Sequence, residues 1–211
     1  MAAKRWAVGR LRPRWLVPWG ALVVLTVLVE VNATAGADRA ITVLLQTWHP
    51  EPLVAVMRGI SWFGYPPQAL LLPVCVALGF ALARQLRGVM AMGAVGAGAL
   101  ILAALKGGLA IGRPSGVHRY LAAGGYGYPS GHAYLATVLL VDLLAVPWAR
   151  RRPWTVGLAV ALIALVDGSR VFLGDHWTSQ VLAGDALGAG VALLVPPFGP
   201  GALPPARTLV V

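Results

Sequence analysis

The chain has 211 residues, 58% hydrophobic and 11% charged, with a mean hydropathy of +0.76; this composition excludes an ordinary soluble globule and allows one domain. The 17 basic and 7 acidic residues give a net charge of +10, which in so apolar a chain points to membrane topology and not to nucleic acid. A lone cysteine, Cys75, excludes an internal disulfide and a Cys-rich metal site.

In chain order, a basic cytoplasmic tail at 1–14 precedes a membrane domain at 15–198 and an irregular Pro/Gly-rich tail at 199–211. Apolar runs broken by charge and Pro/Gly clusters predict spans at Trp15 to Val31, Pro67 to Ala83, Val89 to Leu105, His132 to Trp148, Trp154 to Leu173 and Val181 to Pro197. The expected fold is therefore all-α, a polytopic six-transmembrane-helix bundle. Glu51 to Trp62, between spans one and two, is too polar to cross and is expected at the surface or as a short packed helix. A basic start, an apolar stretch and the small residues Ala33 to Ala37 also resemble a cleaved leader. Retention is favoured because the stretch, about 17 residues, exceeds the usual apolar core of such leaders.

Lys and Arg set the orientation. With a cytoplasmic N-terminus, the inside holds Lys4, Arg5, Arg10, Arg12, Arg14, Arg84, Arg87, Arg150, Arg151, Arg152 and Arg207, eleven of the 17. Arg39, Arg58, Lys106, Arg113, Arg119 and Arg170 fall outside. Trp15, Trp19, Trp148, Trp154 and Trp177 sit at span ends, as an aromatic belt would place them. Both termini are then cytoplasmic in a multi-pass cell-membrane protein.

Three clusters gather where the outside ends of spans three to six should meet. Lys106 is followed after six residues by Arg113 and Pro114; Pro129, Ser130, Gly131 and His132 open span four; Ser169 and Arg170 are followed after five residues by His176. Three cations, two serines, two histidines and a helix N-terminus at one face describe an oxyanion site. Arg and Lys bind phosphate oxygens through charge-assisted hydrogen bonds. Backbone N–H groups at Ser130 and Gly131 add donors and a favourable dipole. One imidazole can attack phosphorus while the other protonates the leaving oxygen, since histidine changes charge near neutral pH. No cluster has the carboxylates expected around Mg²⁺ or an HExxH pair for zinc, so metal-independent chemistry without a cofactor is expected.

The ordered set Lys106-x6-Arg113-Pro114, Pro129-Ser130-Gly131-His132 and Ser169-Arg170-x5-His176 resembles the tripartite signature of the type 2 phosphatidic acid phosphatase (PAP2) superfamily. Its six-span lipid phosphatase branch is matched in order and side from Pro67 onward. The resemblance implies that His176 is the nucleophile forming a phosphohistidine, and that His132 is the general acid and later the base for water. It implies that Lys106, Arg113 and Arg170 hold phosphate oxygens, helped by Ser130, Gly131 and Ser169. The partners it implies are the bilayer and a lipid phosphate or diphosphate: a prenyl diphosphate such as an undecaprenyl carrier, phosphatidate or phosphatidylglycerol phosphate.

One position departs from the signature. Where the family has Asp four residues after the nucleophilic histidine, this chain has Gln180. Residue i+4 faces residue i on a helix, so the Gln180 amide can orient His176 without supplying charge. Restoring a carboxylate with Gln180→Asp is expected to raise turnover. The departure motivates one alternative, a lipid-phosphate binding or transport protein without turnover; the other is a lipid phosphotransferase that passes the phosphate from the same phosphohistidine to another lipid or sugar. Asp175 reads most simply as the N-cap of span six, Asp142, Asp167 and Asp185 as polar contacts between helices, and Gly184 with Gly188 as a close helix crossing. His118, Arg119, Tyr120, Tyr126 and Tyr128 occupy the loop between spans three and four, in reach of a headgroup or in solvent.

Overall fold

The structure is a computed structural model that describes residues 14–121 and 124–195. Lys4, Arg5, Arg10, Arg12, Arg207, all but the last residue of the expected N-terminal tail, the end of the sixth expected span and the whole C-terminal tail lie outside the described residues.

Among the described residues the chain is helical, without strands. The elements are α1 (Leu16–Glu30), α2 (Ala35–Leu45), α3 (Glu51–Ser61), a 3₁₀ turn (Trp62–Gly64), α4 (Gln68–Leu82), α5 (Leu86–Leu109), α6 (Gly131–Leu144), α7 (Pro147–Arg150), α8 (Trp154–Phe172) and α9 (Thr178–Leu194). Each of the six apolar runs lies mainly in one helix: α1, α4, α5, α6, α8 or α9. The fourth ends at Leu144, not Trp148, because Pro147 restarts the chain as α7 and holds Val146 extended at φ −62° and ψ 134°. The polar segment is α3, with prolines at its start, Glu51 in its first turn and Arg58 in its last, charges that complement its dipole.

α5 and α8, with 24 and 19 residues, are long and apolar enough to cross a membrane. Helices α1 and α2 qualify only as a pair bent by 93°, and α3 through the 3₁₀ turn with α4 only as a pair bent by 51°. α6 has 14 residues and α9 has 17, about 21 and 25 Å at 1.5 Å per residue, against roughly 30 Å of hydrocarbon. By length and composition the described chain thus has two to four crossings.

α9 is the central helix, with α6 and α1 against it. Gly184 and Gly188 make the α6 crossing possible. A Cβ on Gly184 would stand 2.4 Å from the Ser130 carbonyl oxygen, and one on Gly188 would stand 2.7 Å from that of Tyr134. On the other side Trp19 of α1 packs over Gly190, where a Cβ would meet its indole nitrogen at 2.9 Å. α8 packs on α6 and α3, and α4 and α5 form a pair at the flank. The helix that hydropathy does not reveal is α2, which turns Asp38 toward the start of α9. There Asp38 accepts from the Ser179 amide at 2.8 Å and the Ser179 hydroxyl at 2.6 Å.

The C-terminal ends of α5 and α8 and the N-terminal ends of α6 and α9 therefore share one end of the bundle. Arg84 and Arg87 beside the start of α5, and Arg150 to Arg152 before α8, lie at the other.

Candidate active site

The first turns of α6 and α9 are tied together by the Ser130 amide donating to the Gln180 carbonyl at 2.9 Å. The loop after α5 closes over them, its Gly127 amide donating to the Ile111 carbonyl at 2.8 Å. Gly127 has no room for a side chain, since a Cβ would lie 2.6 Å from Gln180 Oε1.

Gln180 fixes the state of His176. Its Nε2 donates to the Gly112 carbonyl at 2.8 Å, and its Oε1 accepts from the Trp177 amide at 3.3 Å. Those two backbone groups permit only one orientation of the amide, so Oε1 faces His176 Nδ1 at 3.2 Å. Nδ1 must then carry the proton, and the lone pair lies on Nε2. That nitrogen points at Arg113 NH1, 3.3 Å away. The ring is 2% exposed. Burial, followed by the positive charges of Arg170, Arg113 and Lys106, holds His176 well below its ordinary value of 6.5.

Around it stand the cations. Arg113 NH1 reaches the Asp175 backbone carbonyl and its carboxylate, both at 3.0 Å, and its Nε donates to the carbonyls of Gly124 and Gly125 at 3.1 and 3.2 Å. Burial and then the nearby Arg119 charge lower Arg113 from the ordinary guanidinium value. Arg170, 1% exposed, donates to the Asp175 carboxylate through NH2 and to the Tyr65 hydroxyl through NH1 at 2.8 Å. Lys106 sits at the rim and donates to the Tyr126 carbonyl at 3.0 Å, its charge still felt at His176.

His132, in the first turn of α6, is buried on the other side of the pocket. Its Nε2 lies 3.0 Å from the Ser61 carbonyl oxygen, which can only accept, so this nitrogen carries a proton. The Tyr65 ring stands edge-on to it at 4.6 Å, and Gly64 lies so close that a Cβ there would overlap the imidazole at 2.2 Å. The two imidazoles are near enough for a charge on His132 to be felt at His176. Ser130 caps α6 through a long contact, 3.5 Å from the Ala133 amide, and Gly131 opens the helix beside it. Ser169 Oγ is 2.8 Å from Ser61 Oγ and donates to the Val166 carbonyl at 2.6 Å.

All nine residues singled out in the sequence thus collect at one end of the bundle, with Lys106 outermost. Three others were not assigned to the site from the sequence. Ser61 and Tyr65 come from α3 and the turn after it, and nothing in their local sequence marks them. Asp175 is the third. It is not the N-cap of α9, whose cap is Trp177; it is a fully buried carboxylate between Arg113 and Arg170, with Arg119 at 4.0 Å. An Asp shortly before a helix has the same sequence context in either role. Asp185 accepts from Thr137 at 2.6 Å and adjoins Asp167, joining α6, α9 and α8 below the pocket. Among the described residues no group of three or more His, Cys, Asp or Glu is placed to hold a metal ion.

Residues 87–202 match the sequence model of the PAP2 superfamily. The chain belongs to this superfamily. A phosphatidylglycerophosphatase B of Bacillus subtilis is 29% identical over 189 residues, 83% of this chain and 90% of the relative. The crystal structure of a transmembrane PAP2-type phosphatidylglycerolphosphate phosphatase from Bacillus subtilis superposes with a TM-score of 0.76 at 26% identity, covering 86% of this chain and 93% of that one. An undecaprenyl-diphosphatase of Sulfolobus acidocaldarius is 39% identical over 69 residues, a match of 33% of this chain but only 32% of the relative. The PAP2 relatives are thus named as phosphatases, and the match to the archaeal one is confined to about a third of its length.

Proposed function

We propose that this PAP2-family chain removes phosphate from a lipid phosphate or prenyl diphosphate at the extracytoplasmic face of the membrane, through a phosphohistidine on His176 and without a metal ion. The observation that carries the reading is the His176 Nε2 lone pair, fixed by Gln180 and facing Arg113. In the first step Nε2 bonds to phosphorus, the bond from phosphorus to the leaving oxygen breaks, and His132, entering as the imidazolium with its Nε2–H kept on the Ser61 carbonyl, gives that oxygen its Nδ1 proton and is left neutral. In the second, His132 takes a proton from water, the hydroxide displaces Nε2 from phosphorus, and inorganic phosphate leaves. Arg113, Arg170 and Lys106 hold the phosphate oxygens, with the Ser130 and Gly131 amides and Ser169 completing the shell.

The six helices α1, α4, α5, α6, α8 and α9 are read as six crossings with both termini cytoplasmic. Short α6 and α9 pack within the bundle and need not fill the hydrocarbon alone. Arg84, Arg87 and Arg150 to Arg152 at the end away from the site support the orientation. The lipid tail is served by an apolar cavity of about 480 Å³ between α4, α5 and α6, lined by Pro73, Met92, Gly96 and Tyr134 and reaching Gly131 beside the pocket. Phosphatidylglycerol phosphate and undecaprenyl diphosphate, the substrates named for relatives, join phosphatidate as candidates.

The test is phosphate release by the purified chain in detergent with chelator present, over those lipids, beside His176→Ala. Release should persist in chelator and vanish in the variant. Loss in chelator would remove the metal-free step, and release by the variant would remove the nucleophile. Label appearing on an added acceptor would make the chain a transferase, and binding without release a carrier.

A further inference from the structure

Asp175 stands where a ligand of the arginines should be. Its carboxylate is shared by Arg113, at 3.0 Å, and Arg170, and Oδ2 lies 3.9 Å from His176 Nε2, the nitrogen proposed above to attack phosphorus. An oxygen of a phosphoryl group in front of Nε2 would occupy much the same place and take the same two guanidinium groups. Arg170 and Asp175 are 1% and 0% exposed, so without a phosphate a buried guanidinium needs this carboxylate as its counter-ion. Asp175 Oδ1 makes no hydrogen bond and faces Arg119 NH2 at 4.0 Å, toward the partly exposed edge of the pocket.

We infer that Asp175 is a resident substitute for a phosphate oxygen, and that the substrate phosphate binds by displacing its carboxylate from Arg113 and Arg170 toward Arg119. The inference rests on the phosphatase reading of the site and adds a specificity determinant to it. An entering anion must outbid a carboxylate already in place. Weakly charged anions are refused, and a phosphate of charge near −2 is accepted. The same exchange lets product phosphate leave, because the returning carboxylate competes for the guanidinium groups.

The experiment measures inorganic phosphate itself. In the purified full-length chain, Asp175→Asn should bind phosphate about tenfold more tightly than the parent, both as a product inhibitor and as the phosphate-dependent rise in Tm. Asp175→Ser should behave alike, and both should regain stability in phosphate buffer, where the anion replaces the missing counter-ion. Asp142→Asn, which removes a buried carboxylate elsewhere on α6, should leave phosphate binding at the parental value. Equal or weaker phosphate binding by Asp175→Asn and Asp175→Ser would overturn the inference. So would failure of both to fold even in phosphate, since a carboxylate displaced at each turnover cannot be required by the fold. The phosphatase reading fails separately, by absence of phosphate release from any lipid phosphate by the parent.

Discussion

α9 and α4 are both apolar helices of similar length, yet α9 has eleven buried residues and α4 has none. The first lies at the centre of the bundle against glycine-mediated crossings, and its first turn is held by Asp38 and Gln180. The second lies at the flank beside an open apolar cavity. Catalytic groups need fixed positions within fractions of an ångström, whereas a surface that receives a flexible tail needs room. On the proposed reading the two halves of the bundle meet these opposite demands, and substitutions should have effects that scale accordingly.

The largest effect is expected at the α8 end of the pocket. Arg170→Ala removes a proposed phosphate donor and leaves buried Asp175 with one guanidinium fewer; kcat should drop roughly 10²- to 10³-fold and stability by about 3–5 kcal/mol, read by steady-state kinetics and thermal unfolding. Next, Gly188→Leu drives a side chain into the α6 backbone. It should cost at least about 1–3 kcal/mol and depress turnover on every substrate alike; a wild-type Tm would mean that the two helices can part without harm.

Gln180→Glu places a carboxylate oxygen against the Gly112 carbonyl, a loss of about 1–3 kcal/mol to be seen as lower kcat with KM little changed. The same contact reverses the expectation for Gln180→Asp. A shorter carboxylate can neither reach as far nor donate to Gly112, so its turnover should fall, and a gain would show that charge outweighs the two backbone bonds.

The pH response is a milder probe. Since His176 is held below 6.5, the neutral nucleophile should persist into mild acid and the acid limb of kcat/KM should lie below that value. Arg113→Ala should move the limb upward. The unfolded chain accepts a proton below 6.5 that folded His176 refuses, so its contribution makes stability fall as pH drops through that point. The smallest effect belongs to the flank. Gly96→Leu, where a Cβ meets nothing within 4 Å, should leave stability within about 0.5 kcal/mol and lower kcat/KM for long-tailed substrates only. An equal loss on a short-chain phosphate would place the tail elsewhere.

Hydropathy located the apolar cores of α1, α4, α5, α6, α8 and α9, of which only α5 and α8 are long enough to cross a membrane by themselves. It did not reveal α2, whose sequence mixes Asp38, Arg39 and apolar residues over only 11 positions. The motif residues were legible because their order and spacing carry information. Ser61 and Tyr65 were not, since their partners Ser169 and Arg170 lie 108 and 105 residues away. Asp175 was visible but misassigned: capping is decided locally, whereas neutralising two guanidinium groups is decided by which helices converge.

The Asp38 contact to Ser179, bridging 141 residues, has a consequence for dissection of the chain. The region matching the family begins at residue 87, but the carboxylate that holds the first turn of α9, the carbonyl that holds His132 and the phenol on Arg170 all come from before it. The smallest autonomous catalytic piece is therefore wider than the recognisable one. A fragment cut at the family boundary would retain every signature residue yet lose the scaffolding that gives them their orientation.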